Sequence, residues 1–133
     1  MDTQILEFKS LPKMLAVLAV GGGSPAYIDK LSHAPSKDLA LFYIEEALRD
    51  MTTLAKTPRD AWKSDKAYEE MKYISWKELE NELDSLRNVK EGRELREILS
   101  FITAKALARY AKLTLHSGAS SSSEGSFVGG SNE

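Results

Sequence analysis

The stretch LREILSFITAKALARYAKL, residues 95–113, decides the fold. Leu95, Ile98, Ile102, Ala106, Tyr110 and Leu113 recur at intervals of three and four, the period that lines up side chains along one face of an α-helix, and Leu99 stands beside them. An unbroken apolar stripe of this length predicts a long helix, central to a bundle, that ends near His116 and Gly118.

Working back from that helix, Ser75 followed three residues later by Glu78 reads as a capping box, with Leu79, Leu83 and Leu86 as the buried edge of the helix it opens. Gly92 is a candidate interruption between the two. Residues 57–74 are more polar, and Trp62, Tyr68, Met71 and Ile74 are spaced too loosely for one stripe. With Thr57-Pro58 as a cap and proline signal, one or two short helices are expected there. Before them, Ser36 caps a helix running to Lys56. Its inner face steps through Leu41, Ile44, Leu48, Met51 and Ala55, while Lys37, Asp38, Glu45, Arg49 and Asp50 turn away. Ser24-Pro25 predicts a short helix to about Ser32 that stops before Pro35. Ile5, Leu6, Phe8, Leu11, Leu15 and Leu18 make the first apolar face, ended by Gly21-Gly22-Gly23. Pro12 either kinks one helix or lies near the start of a second one capped by Ser10.

No alternating strand pattern occurs, so the chain reads as all-α: a compact bundle of about five to six helices over residues 1–116. Residues 117–133 hold seven serines and four glycines, with only Phe127 and Val128 as sizeable apolar residues. They are expected to be a flexible, disordered tail, because they bury too little to offset the entropy of ordering.

Composition narrows the function. In a chain of 133 residues, 42% hydrophobic and 29% charged residues fit one soluble globular domain. The absence of cysteine excludes a disulfide scaffold, a zinc ribbon and a thiol nucleophile. The longest apolar run, Met14–Val20, falls well short of the roughly 20 residues that span a bilayer. It also follows a mixed rather than basic N-terminus, so neither a membrane span nor a signal peptide is expected, and the cytoplasm is the expected location. A formal charge of −2 means that any nucleic-acid binding must come from a local patch.

No enzyme is expected. The only imidazoles are His33, two residues before Pro35, and His116, at the end of the last helix, and neither stands beside a nucleophile that a third group orients. Gly21-Gly22-Gly23-Ser24 lacks the preceding strand and the Lys-Ser/Thr of a phosphate loop, so it reads as a helix terminator. Glu69, Glu70, Glu78, Glu80, Glu82 and Asp84 against Lys72 and Lys77 make residues 69–84 net −4. They read as a solvated acidic face, or one that docks on a basic neighbour, and not as a metal site.

The one functional stripe is basic. Lys105, Arg109, Lys112 and His116 follow at intervals of four, three and four on one helix face, and no acidic residue lies between Ser100 and His116. These cations either engage successive phosphates in sequence-independent fashion or complement the dipole at the helix C-terminus. Tyr27, Phe42, Tyr43, Trp62, Tyr68, Tyr73 and Trp76 are the aromatics available for base stacking, with core packing the competing role for most and packing or interface anchoring for the two tryptophans.

Leu15-Ala16-Val17-Leu18-Ala19-Val20-Gly21, the Ser24-Pro25 restart with Asp29, the Ser36-Lys37 opening, and Ala104-Lys105-Ala106-Leu107-Ala108-Arg109 together resemble the small subunit of the archaeal type I-A CRISPR interference complex, Cascade. The likeness covers roughly the first 50 and last 25 residues of the domain. Residues 57–90 depart from it, being charged and helical where that family carries an irregular or β-containing insertion. The resemblance implies a non-catalytic subunit, present in several copies, that packs on the other Cascade subunits. Such a subunit stabilises the guide RNA and target DNA, or the displaced DNA strand, in antiviral defence, and has neither metal nor cofactor. It makes Lys105, Arg109 and Lys112 the candidate phosphate contacts, joined by Lys9 and Lys13 of the first helical segment. The competing expectation is a helical protein–protein adaptor or self-associating regulator without nucleic-acid contact. A basic stripe left exposed separates the first reading from the second, in which Glu78, Glu80 or Glu82 would cover it.

Overall fold

Serine hydroxyls start three of the helices. Ser36, Ser64 and Ser75 each accept a hydrogen bond from the backbone N–H three residues on, at Leu39 (3.2 Å), Ala67 (3.1 Å) and Glu78 (3.2 Å). The computed structural model describes the backbone of residues 8–121 and the side chains of residues 8–115. Within it run α1 (Ser10–Gly21), α2 (Ala26–Ser32), α3 (Lys37–Ala55), a 3-10 turn (Arg59–Ala61), α4 (Asp65–Met71), α5 (Trp76–Asn88) and α6 (Arg93–Ser121). Six α-helices and no strand among the described residues give the all-α bundle that the apolar spacing predicts.

Two of the expected caps do other work. Thr57 turns its hydroxyl back to Leu54 O (2.7 Å), closing α3 instead of opening a helix, and Pro58 leads only into the 3-10 turn. Ser24 uses its backbone N–H on Leu18 O (3.4 Å), beside Gly22 N–H on the same carbonyl (3.0 Å), to finish α1. Gly23, at φ +72°, makes the left-handed turn between them, which costs glycine little. α2 therefore begins after Pro25 with no side-chain cap. Ser10 is not a cap either: it is the first residue of α1, and Lys9 stands at the cap position with no side-chain acceptor of its own.

α1 is the core of the bundle. Leu11, Met14, Leu15, Ala16, Val17, Leu18 and Ala19 are all buried, so the helix is apolar around most of its circumference and is enclosed by neighbours on several sides. Its most extensive partner is α6, and it also packs on α2, α3, α4 and α5. This explains the run Met14–Val20: it is a core helix, and no described helix is long and apolar enough to cross a membrane. On α6 every stripe residue is buried except Tyr110, which is half-buried against the core. On α3 the centre of the buried face is Ala40, Ile44, Ala47 and Met51, with Leu41, Leu48 and Ala55 at its margins.

Gly92, at φ +149°, separates α5 from α6 and does not interrupt either. α6 continues through Gly118 to Ser121, past the expected end. One glycine costs a helix only about 1 kcal/mol and does not stop one already propagating. Ile5 and Leu6, and residues 122–133 of the expected tail, lie outside the described residues.

At the surface, Tyr27 of α2 donates its hydroxyl to the Asp50 carboxylate on α3, and that hydrogen bond, with help from burial, pushes its phenol up to about 12. A raised pKa means that the folded state holds the proton more tightly. The bond therefore stabilises fully below the ordinary tyrosine value of about 10 and is lost as pH rises through the folded value. In an ultraviolet titration of the folded protein, Asp50→Ala should bring the latest-ionising tyrosine back toward the ordinary value.

Candidate nucleic-acid interface

A carboxylate far away in sequence sets the start of α1. The orphan donors at that end are the N–H groups of Lys9, Ser10 and Leu11, since Pro12 has none. Glu82 of α5 takes all three, its Oε2 accepting from Lys9 N (3.0 Å) and Ser10 N (2.9 Å) and its Oε1 from Leu11 N (2.8 Å). Glu82 is only 6% exposed. Burial pushes its carboxyl above the usual range, and the three backbone N–H groups pull against that shift. Next to it, the Ser10 hydroxyl donates to Glu78 Oε1 (2.8 Å). Thus the capping box at Ser75 is made only in its forward half, with Glu78 reaching to α1.

Held in this way, the first turn of α1 faces the basic side of α6 across an open cleft of about 480 Å³. Its lining includes Lys9 and Lys13 from α1 and Lys105, Arg109 and Lys112 from α6. All five cations singled out in the sequence are therefore brought to one place. At 1.5 Å per residue, Lys105 to Lys112 spans about 10 Å along α6. The side chain of His116 lies outside the described residues.

Carboxylates answer these charges only in part. Arg109 Nη1 lies 3.6 Å from Glu70 Oε1, and Glu78 lines the same cleft. Among the described residues, no carboxylate lies within 4 Å of the amino groups of Lys9, Lys13, Lys105 or Lys112. Lys105 Nζ sits 5.9 Å from the centroid of the Phe101 ring. Glu80 lies elsewhere, in a groove with Glu45, Arg49 and Arg87, and Glu82 is committed to α1.

The acidic stretch 69–84 is consequently not one solvated face. Glu69 pairs with Arg59 and Lys72, Glu70 with Arg109, Asp84 with Arg87, and Glu78 and Glu82 with α1. Among the described residues, no three carboxylate, imidazole or thiol groups gather as a metal site would require. His33, at the end of α2, is exposed beside Asp29 (3.5 Å).

Of the three carboxylates that the sequence offered as covers for the stripe, only Glu78 lines the cleft; sequence reading missed Glu70 and the hold of Glu78 and Glu82 on α1, because nothing local marks a carboxylate whose partner lies on another helix. Tyr73, also in the lining, was legible only as one of seven aromatics.

No family model and no solved structure matches the chain. An uncharacterized protein of Archaeoglobus fulgidus is 44% identical to it over 108 residues, which are 81% of this chain and 91% of the relative. At that identity and coverage, the chain belongs to the same family as this archaeal protein.

Proposed function

We propose that the chain is a non-catalytic nucleic-acid-binding subunit of a cytoplasmic ribonucleoprotein complex, of the kind that its resemblance to the Cascade small subunit implies. The observation that supports this is the convergence of five cations on one cleft in which, among the described residues, Glu78 is the one carboxylate of the lining and Glu70 reaches Arg109 alone. Dipole complementation does not account for Lys105, Arg109 and Lys112, because α6 runs on to Ser121 and its last turn, to which the dipole effect is confined, carries no cation; nor does it place cations at the N-terminal end of α1. There Lys9 and Lys13 face an end that already attracts negative charge, so a phosphate track gives the five a common purpose. Several copies along a filament would multiply a modest affinity by avidity.

The test is binding of the full chain to single-stranded and duplex DNA over a range of salt concentrations, for wild type and for the triple variant Lys105→Ala, Arg109→Ala, Lys112→Ala. Each phosphate contact contributes about 0.7 to 0.9 to the slope of log affinity against log salt. Loss of three contacts should flatten that slope by about 2 and weaken binding about tenfold or more at low salt. An unaltered affinity and slope would remove the assignment.

One observation favours the adaptor reading. Leu107 of α6 is 53% exposed and joins Tyr110, Pro25 and Ile28 in a small, mainly apolar groove between α6 and α2. Affinity capture of the tagged protein from its host, with and without nuclease, separates the two. Large CRISPR-complex proteins with guide RNA support the ribonucleoprotein reading, and unrelated proteins without RNA support the adaptor.

A further inference from the structure

We infer that the basic cleft takes single-stranded nucleic acid in preference to duplex, and that Tyr73 is the side chain that selects it by stacking on an unpaired base. This inference rests on the reading of the cleft as a phosphate-binding track and adds to it the part of the ligand that lies between the phosphates.

Tyr73 lines the same cleft as the cations, in the turn between α4 and α5, and is 74% exposed. No ring, cation or hydrogen-bond partner holds its side chain among the described residues. Three of the other four tyrosines have such partners, and the fourth, Tyr110, is half-buried against the core. Tyr27 binds Asp50, Tyr43 lies edge-on to Phe42, and Tyr68 lies edge-on to Trp62 with Arg59 over its ring.

The backbone beneath Tyr73 is fixed even though the ring is free. Its N–H donates to Glu70 O (3.0 Å), the next N–H, of Ile74, donates to Met71 O (3.1 Å), and the Ile74 side chain is buried in the core. The turn therefore presents one flat aromatic face at the edge of a cationic cleft whose volume is that of a site for a ligand of about nucleotide size.

An aromatic beside a row of cations is the arrangement that binds single strands. The cations follow the backbone, and the ring meets any base, because every base has a π-face. A duplex offers no such face, since its bases are stacked on one another and show only their edges in the grooves. An acidic peptide or a free polyphosphate would use the cations and leave the ring idle.

The experiment compares three ligands of equal phosphate number: a base-bearing single strand, an abasic single strand and a hairpin duplex. Each is titrated by fluorescence anisotropy against full-length wild type, Tyr73→Ala and Tyr73→Phe. The exposed ring contributes little to folding, and thermal melts of the three proteins check this. Wild type should prefer the base-bearing strand to both others. Tyr73→Ala should weaken that complex about tenfold or more and leave the abasic complex within about twofold, while Tyr73→Phe retains the preference. Equal loss on both strands, or no loss on either, would overturn the stacking role while the cationic track stands. Absence of binding by wild type to all three ligands would overturn the track itself, and the stacking role with it.

Discussion

Glu82→Ala is expected to destabilise the protein by about 3 kcal/mol or more, a substantial share of the 5–15 kcal/mol typical of a whole domain. The substitution removes one small side chain but strands three backbone donors. Lys9, Ser10 and Leu11 lose their acceptor together, and no residue of α1 can replace it, because Lys9 at the cap position has no acceptor atom. Each buried N–H left unpaired costs about 1–3 kcal/mol. Water admitted at the exposed Lys9 would recover some of that, while Ser10 and Leu11 are buried, at 6% and 1% exposure. Glu82→Gln keeps the length and one carbonyl acceptor, and should fall between wild type and Ala. Urea unfolding of the three proteins gives the order directly, and a loss under 1 kcal/mol for Glu82→Ala would show that α1 starts without it.

The same contact bears on the binding site. Lys9 and Lys13 reach the cleft because the first turn of α1 is pinned to α5, and the two carboxylates that pin it, Glu82 and Glu78, come from successive turns of that helix. A sequence that placed a local cap at the start of α1 would have satisfied the same donors. It would not have tied the α1 cations to the helix that follows Tyr73. The acidic residues of α5 thus fix where the positive charge is displayed, which makes a net charge of −2 compatible with a basic site.

What the sequence made legible follows from the range over which each interaction acts. The α6 stripe and its basic face are periodic, so they can be read from spacing alone, and the Ser36 and Ser75 caps lie three residues from their donors. Ser24 and Thr57 carry the same local signal, yet the chain uses them to close the preceding helices, at Leu18 and Leu54. A cap residue beside a proline marks a boundary between helices without saying which helix it serves. Ser64 opens α4 without a proline to advertise it. Glu82 was out of reach, since its donors lie 71 to 73 residues away. The cleft itself was legible as two separate groups of cations, and only the packing of α1 against α6 brings them together.

The second large effect is expected at Gly21, where helix propensity and packing point in opposite directions. Gly21 is the last residue of α1 and has no left-handed backbone angle, so Ala should favour the helix there by about 0.5–1 kcal/mol. A methyl group at this position, however, would lie 2.5 Å from Trp62 Cε3, 2.7 Å from Trp62 Cζ3 and 3.0 Å from Ala67 Cβ, where carbon atoms need about 3.5–4.0 Å. Retreat is blocked. The indole is 7% exposed, it meets the Tyr68 ring edge-on with centroids 5.3 Å apart, and the next residue, Lys63, is tied by its N–H to Gly21 O at 2.8 Å. Overpacking of this kind costs about 1–3 kcal/mol, and the clash with both a ring and a methyl puts it at the upper end. Gly21→Ala should therefore lose about 2 kcal/mol net, against the sign that propensity alone predicts. A double-mutant cycle with Trp62→Leu isolates the cause, because removing the six-membered ring should make Gly21→Ala neutral or slightly stabilising. If Gly21→Ala costs as much without the indole as with it, the cost lies in the backbone at the end of α1 and not in its fit against Trp62.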